Sequence, residues 1–310
     1  MMSQTLELKI LQANCYNFQV NGTQAKDIEE SSKIIQLEKP DIVVLEEINK
    51  PQANYLSLHT GLNNLEYQRN FKFSSTESGN AIMSKYKLKS APLYFGTHEF
   101  FIATLFGGLD HNIKRMMDYI WSRGERGSGM YLFLHHLGES VAQLAGRKKF
   151  THATIEAYDK EIDIIFTHLN SSSPRKRNYQ GKRLVKYIQK LHQKKGAKNL
   201  FLIGDLNSVH EYAKKDGFPD AYNDDYRKDT VIPMIRRLGI FDIDNAMVYV
   251  DGKPQINPKL FTYEASGKYD ADRMIDHIFP KKGIKELDLK TIKLPGTDHL
   301  ALVGTYLLNK

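Results

Sequence analysis

Strand-forming runs in this chain end repeatedly on a residue able to bind a metal ion or move a proton, and that recurrence most constrains its fold. Phe201-Leu202-Ile203-Gly204-Asp205-Leu206-Asn207-Ser208 shows it most clearly: an apolar run stops at a glycine and releases a carboxylate and an amide two residues apart. Side chains on a strand repeat their direction every two residues, so Asp205 and Asn207 are expected to leave on one face and reach one ligand. An Asx turn closing the strand is the plainer reading of the same residues. The other strand ends set the weight each reading carries.

Leu8 to Ala13 predicts an opening strand that ends at Asn14. Ile28, Ile34, Ile35 and Leu37 recur at helical spacing between Lys26 and Glu38, and Pro40 marks the stop. Asp41-Ile42-Val43-Val44-Leu45 runs into Glu46-Glu47, the pattern of a strand covered on both faces. Gly79-Asn80-Ala81-Ile82-Met83-Ser84 reads as a short strand entered through a tight turn. Ala153 to Tyr158 and Ile162 to Thr167 predict a hairpin turned at Asp159-Lys160, its second arm ending at His168. A basic helix over 178–194 carries Leu184, Val185, Ile188 and Leu191 on one stripe. Met274 to Phe279 and Leu300 to Leu308 supply two more strands, the last preceded by Thr297-Asp298-His299. Strand and helix signals in alternation indicate an α/β chain.

Composition narrows the class without naming it. At 310 residues the chain is long enough for a large core, as one domain with an insertion or as two. Its 41% apolar and 26% charged content is that of a globular protein. The net charge of +8 favours an anionic partner: nucleic acid, phospholipid head groups or phosphorylated small molecules. Cys15 is the lone cysteine, so no internal disulfide forms. Met1 to Glu7 lacks a basic region followed by an apolar stretch, and the apolar run Phe100 to Leu109 falls short of the ~20 residues a membrane span needs. The expectation is a soluble monomer, cytoplasmic or delivered into a host cell, with no transmembrane segment.

Asn14, Glu47, Asp205, Asn207 and Asp298 offer oxygen donors and no thiolate, which suits Mg²⁺ or Mn²⁺ better than zinc. His168 and His299 sit at strand ends, where imidazole N–H groups can stabilise charge building on a phosphoryl group. Asp276 is placed to fix the orientation of His299. Together they describe metal-assisted attack of water on a phosphate ester.

Seven motifs occur in order: Gln12-Ala13-Asn14, Pro40 to Ile48, Gly79 to Ser84, Thr167-His168-Leu169-Asn170, Gly204-Asp205-Leu206-Asn207-Ser208, Arg273 to Phe279, and Thr297-Asp298-His299. In this order, across residues 10–303, they resemble the endonuclease/exonuclease/phosphatase superfamily, the DNase I-like enzymes. The resemblance implies a single domain over 1–310, folded as a four-layer α/β/β/α sandwich of two mixed sheets with helices outside. It implies that Glu47 binds the divalent metal, that Asn14 lies beside it on metal or phosphate, and that Asp298 assists. Asp205 would deprotonate the attacking water, and Asn207 would hold the water or a phosphate oxygen. His299, paired with Asp276, and His168 would contact the scissile phosphate. Asn170 and Arg177, the latter in an Arg-x-x-Gln pattern with Gln180, would line the substrate side.

Two features depart from the family pattern. Glu46 stands where relatives carry Gln, and strand alternation predicts that it faces away from Glu47. Residues from about 91 to 149 look like a mainly helical insertion, with apolar Phe100 to Phe106, basic Arg115, Arg123 and Arg126, and His135-His136. That insertion is either a helical pair packed on the sandwich or an element contacting substrate or membrane. Arg175, Lys176 and Arg177 with Lys182, Arg183 and Lys186 form either a solvated face or a seat for a phosphate backbone or an anionic lipid. The expected activity is therefore a nuclease-type phosphodiesterase. The alternatives are a sphingomyelinase-like or phosphoinositide phosphatase-like lipid hydrolase and a binding protein without catalysis.

Overall fold

The computed structural model describes residues 6–19, 22–73, 76–94, 149–171, 173–211, 213, 226–263, 271 and 273–308. The expected insertion lies outside the described residues except at its ends.

Two mixed sheets pack face to face. The first holds β1 (Leu6–Asn14), β2 (Ile42–Ile48), β3 (Asn64–Phe73), β4 (Thr76–Ser84), β12 (Lys285–Lys293) and β13 (Leu300–Leu308), in the order β12-β13-β1-β2-β4-β3. The second runs β11-β8-β7-β6-β5, from β5 (Lys87–Tyr94), β6 (Lys149–Ala157), β7 (Lys160–Thr167), β8 (Asn199–Asp205) and β11 (Asp276–Pro280). A ribbon of β9 (Met247–Val250) and β10 (Lys253–Ile256) stands apart.

Strand alternation sorts the apolar side chains into three layers. Ile10, Val44, Ile82, Ile164, Phe166, Phe201, Ile203, Ile278 and Leu302 meet between the sheets and are fully or almost fully buried. Burying each stabilises the fold by roughly 1.5–3 kcal/mol relative to exposure. Leu11, Val43, Leu45 and Met83 turn outward to Ile28 and Ile35 of α1 (Gln24–Glu38) and to Ala53 and Leu56 of α2 (Lys50–Thr60). Ile165, Leu200 and Leu202 turn to Leu184 and Ile188 of α3 (Pro174–Lys195) and to Ile232 and Ile235 of α4 (Val231–Arg237). The four layers are helix, sheet, sheet, helix. Among the described residues no helix is long and apolar enough to cross a membrane.

Local signals explain the element ends. Lys39 turns left-handed (φ 50°) before Pro40 and stops α1. An Asn49/Gln52 capping box with Pro51 in the first turn starts α2. Ser173 accepts from the Lys176 N–H and starts α3 four residues earlier than the apolar stripe suggests. The β6–β7 hairpin turns at Tyr158 and Asp159, both at positive φ, one residue ahead of the expected pair.

β11 also carries a buried titratable ring beside the site. His277 donates from Nε2 to the Ser208 carbonyl at 3.0 Å and stacks on Phe279; burial pushes its pKa down to about 4. The unfolded chain takes up this proton near pH 6.5 and the folded one near 4, so stability falls as the pH drops through that window. Wild type is expected to lose about 3 kcal/mol there that His277→Gln does not lose. Urea midpoints measured against pH, running parallel in the two proteins, would remove His277 from that role.

Candidate active site

Register brings the polar strand ends to one edge of the sandwich. β1 and β2 run parallel and pair Asn14 with Glu46. β8 and β11 run antiparallel and set Asp205 directly opposite Asp276. β7 is parallel to β8, and the Leu169 N–H bonds the Asp205 carbonyl at 2.9 Å, which fixes His168 beside Asp205. β13 is antiparallel to β1, so His299 just before it reaches the same edge. Two amides then close the space between the sheets. Asn14 Nδ2 donates to Asp205 Oδ2 at 3.0 Å, and Gln12 Nε2 donates to Asp276 Oδ1 at 2.8 Å and to Glu46 Oε2 at 2.9 Å.

The Asp205–Asn207 pair is an Asx turn and part of the site at once. Asn207 is not on the strand; it lies beyond the end of β8 at φ 47°, and its N–H donates to Asp205 Oδ1 at 2.8 Å. Its side-chain amide donates to the Leu169 carbonyl at 3.2 Å, tying the His168 and Asp205 loops together. Like charges directly opposite in a sheet repel. Burial first, and the Asp276 charge second, push the Asp205 carboxyl up to about 7.

His299 answers that repulsion. Its Nδ1 and Asp276 Oδ2 are 2.7 Å apart, and its ring packs edge-on against Tyr263. Burial alone would lower its pKa, but Asp276, and more weakly Asp298 and Asp205, outweigh burial and raise it to about 10. The Asp276 carboxyl in turn is held low, burial being outweighed by His299. The pair is an imidazolium–carboxylate ion pair near neutral pH, with the Asp276 carboxylate also accepting from Gln12. Thr262 Oγ accepts from the Ile275 and Asp276 N–H groups and anchors the start of β11.

Glu46 corrects an expectation. The β2–β4 register pairs Leu45 with Ala81 and Ile48 with Gly79, so Glu46 and Glu47 together oppose Asn80 alone. This is a β-bulge, with Glu47 at φ 49°. Alternation breaks there, and both acids reach the site. Glu46 is fully buried beneath Gln12, while Glu47 Oε1 lies 3.6 Å from His168 Nε2. The same His168 nitrogen is 3.6 Å from Asp205 Oδ2. Burial, then the Asp276 charge, raise the Glu46 carboxyl far above its usual range; burial does the same more mildly for Asp298.

These residues fit a hard cation. Cys15, the nearby thiol, is buried, its pKa is pushed up by burial and by Glu46, Glu47 and Asp298, and its Sγ–H points at the Ala13 carbonyl at 3.9 Å. Oε1 of Glu46 and Oδ1 of Asp298 are buried and accept no hydrogen bond. Acidic oxygens left that way are costly until a proton or cation meets them. Asp205, Asp276 and His299 also each place one ligand atom within 4.8 Å of the others. Proton transfer suits that triplet better than metal binding, because the His299 ring is protonated and its Nδ1 is engaged with Asp276. Glu47, whose side chain is 30% exposed, is open where Asp205 and Asp276 are closed.

Arg177 requires a second correction. It is fully buried, donates from Nε to Asp229 at 2.7 Å, and donates from Nη1 to the carbonyls of Asn170 and Ser171. A phosphate cannot reach it in this arrangement. It braces the loop after β7, and Gln180 helps by accepting from the Asn170 N–H. Asn170 is thereby held at the site's edge as a buried residue. Asp229 is the buried partner of Arg177.

The comparisons agree with this architecture. The chain belongs to the endonuclease/exonuclease/phosphatase family, whose model matches residues 11–299. No curated protein sequence matches it. Among solved structures it is similar to an endonuclease/exonuclease/phosphatase family protein from Leptotrichia buccalis C-1013-b: 16% identity, 96% of this chain and 98% of that one covered, TM-score 0.59. It is similar to an endonuclease/exonuclease/phosphatase from Beutenbergia cavernae DSM 12333 at 14% identity, covering 98% of this chain and 72% of that one, TM-score 0.58. D. rerio TDP2 complexed with single strand DNA product shows 14% identity over 98% of this chain and 99% of that one, TM-score 0.56. At such identities these likenesses show the fold.

Proposed function

We propose that this protein is a divalent-metal-dependent phosphodiesterase that cleaves nucleic-acid phosphodiesters by attack of water. The observation that carries the reading is a base and an acid held apart at one edge: Asp205, pushed up to about 7, and His299, raised to about 10 by Asp276. Opposed pKa values in neighbouring groups are the signature of acid–base roles. TDP2, similar in fold, has been seen with a single strand DNA product, which supports nucleic acid as the substrate class.

Glu47, with Asn14 and Asp298 beside it, would hold Mg²⁺ or Mn²⁺, which when bound supplies a Lewis acid for a phosphate oxygen. Asp205 takes the proton from the attacking water, oriented by the Asn14 amide and the Asn207 N–H that already donate to its carboxylate. The His299 ring, with Nδ1 fixed on Asp276, directs its Nε2–H at a non-bridging oxygen as charge builds there. His168, between Glu47 and Asp205, contributes a second donor.

The pH dependence follows from the two shifts. kcat/KM is expected to fall below about pH 7 as Asp205 takes up a proton, and above about pH 10 as His299 loses one. A bound cation moves the acid limb lower. Asp276→Asn removes the partner that raises His299 and should bring the alkaline limb down; a limb that stays put would take His299 out of the reaction. The substrate class is tested with DNA, RNA, sphingomyelin and inositol phosphates, each assayed with Mg²⁺, Mn²⁺ and EDTA. Metal-dependent cleavage of nucleic acid is the expected result, and turnover confined to the lipid or inositol substrates would reject it.

A further inference from the structure

We propose that the exposed face of α3 is a docking stripe for the nucleic-acid backbone, leading from the catalytic edge down the flank of the sandwich. The inference rests on the phosphodiesterase reading for its substrate class but on separate residues. α3 holds nine lysines and arginines and no acid in 22 residues. The chain has 44 cations and 36 acids, so the 35 cations outside α3 leave the rest of the protein at net −1. All of the excess positive charge is concentrated in this helix.

Its arrangement is directional. Arg175, Lys182, Arg183, Lys186, Lys190 and Lys194 are exposed. At 3.6 residues per turn they fall within an arc of roughly 120° and extend for about 28 Å along the axis. That length is close to eight phosphates on one strand of B-DNA. α3 begins at Pro174, directly after the His168–Ser173 loop of the site. The stripe therefore starts at the catalytic edge.

Three observations favour this occupant over a solvated face or a membrane. None of the six is ion-paired with a described carboxylate, whereas Lys195 on the same helix pairs with Glu161 and Asp163. Lys182, Lys186, Lys190 and Lys194 succeed one another at i,i+4, a spacing at which like charges destabilise a helix by about 0.2–0.5 kcal/mol per pair. A helix that serves only solubility mixes both signs. Membrane-surface helices set large apolar residues beside their cations. Here Leu184 and Ile188 are buried in the core, and the exposed large hydrophobic residues of the described chain all lie outside α3.

The test replaces Lys182, Arg183, Lys186 and Lys190 together by Gln, a good helix former, so α3 keeps its propensity and loses its repulsion. Binding of a labelled DNA single strand is followed by fluorescence anisotropy in EDTA across a salt series, where no turnover is required. Wild type is expected to show a steep salt dependence. The variant is expected to bind about 100-fold more weakly at moderate salt, with a log–log slope shallower by about 3, while its hydrolysis of bis-p-nitrophenyl phosphate stays unchanged. Equal affinity and slope in the two proteins would overturn the stripe. So would loss of binding to phosphatidylserine vesicles in the variant when neither protein binds DNA. Failure of the phosphodiesterase reading would appear separately, as a wild type inert on bis-p-nitrophenyl phosphate.

Discussion

Asp205→Asn is expected to lower kcat on a phosphodiester by about 10³-fold, within the span that a positioned general base contributes, and to leave KM nearly unchanged. The reason is specific to the geometry. Asn keeps the Oδ1 that accepts from Asn207 but cannot take a proton from water. The same change should stabilise the fold. Asp205 has a folded pKa raised above its ordinary value, so its contribution to stability is complete in acid and is lost as the pH rises through about 7. Removing the charge that faces Asp276 relieves about 4 kcal/mol at pH 8, but the new amide NH₂ faces the Asn14 NH₂ that donated to Oδ2, so the net gain is expected at about 2 kcal/mol at pH 8, turning into a net loss near pH 4. Rates within tenfold of wild type would take Asp205 out of the base role, and an unchanged unfolding midpoint at pH 8 would contradict the account of its burial.

Gly204→Ala is the second large effect. Gly204 sits at φ 134°, where L side chains are strained. An added Cβ would overlap the Thr167 carbonyl oxygen of the parallel neighbour and lie 2.9 Å from Glu46 Oε1. The obstructing atom is backbone, so relief requires β7 and β8 to part just where they hold His168 and Asp205. A loss of about 3 kcal/mol or more is expected, together with most of the activity. Gly196→Ala serves as the control: its φ of 60° is also positive, but an added Cβ meets nothing within 4 Å, so about 1 kcal/mol is expected. Comparable urea midpoints for the two variants would show that the contact with Thr167 is not what fixes this glycine.

What was legible in the sequence was what periodicity and turn chemistry encode. The central strands β1, β2, β7 and β8 are apolar runs with a polar stop, and the stop marks the edge where the site assembles. β12 escapes because it is an edge strand in which Leu287, Leu289 and Ile292 are interleaved with Lys, Glu and Asp and no residue is fully buried. Glu46 departs from alternation because a bulge is a property of pairing: whether two residues oppose one depends on the partner strand, which lies more than thirty residues away in β4. Alternation predicts Asn207 on the face of Asp205, whereas a left-handed turn beyond the strand end is what brings its N–H to that carboxylate. Gln12 stands in the first of the seven motifs but carries no role of its own there. Its role exists only after two sheets meet and Asp276, from the far end of the chain, lands beside it. Arg177 looked like a ligand for phosphate because its buried partner Asp229 lies 52 residues away.

The central claim is that Asp205, His299 and the carboxylates around Glu47 act as one metal-dependent site for breaking a P–O bond. It is tested most directly by hydrolysis of bis-p-nitrophenyl phosphate in wild type and Asp205→Asn, each assayed after EDTA treatment and again with Mg²⁺ or Mn²⁺ restored. The account predicts turnover only in wild type with metal. Equal rates in EDTA, or a variant as active as wild type, would contradict it.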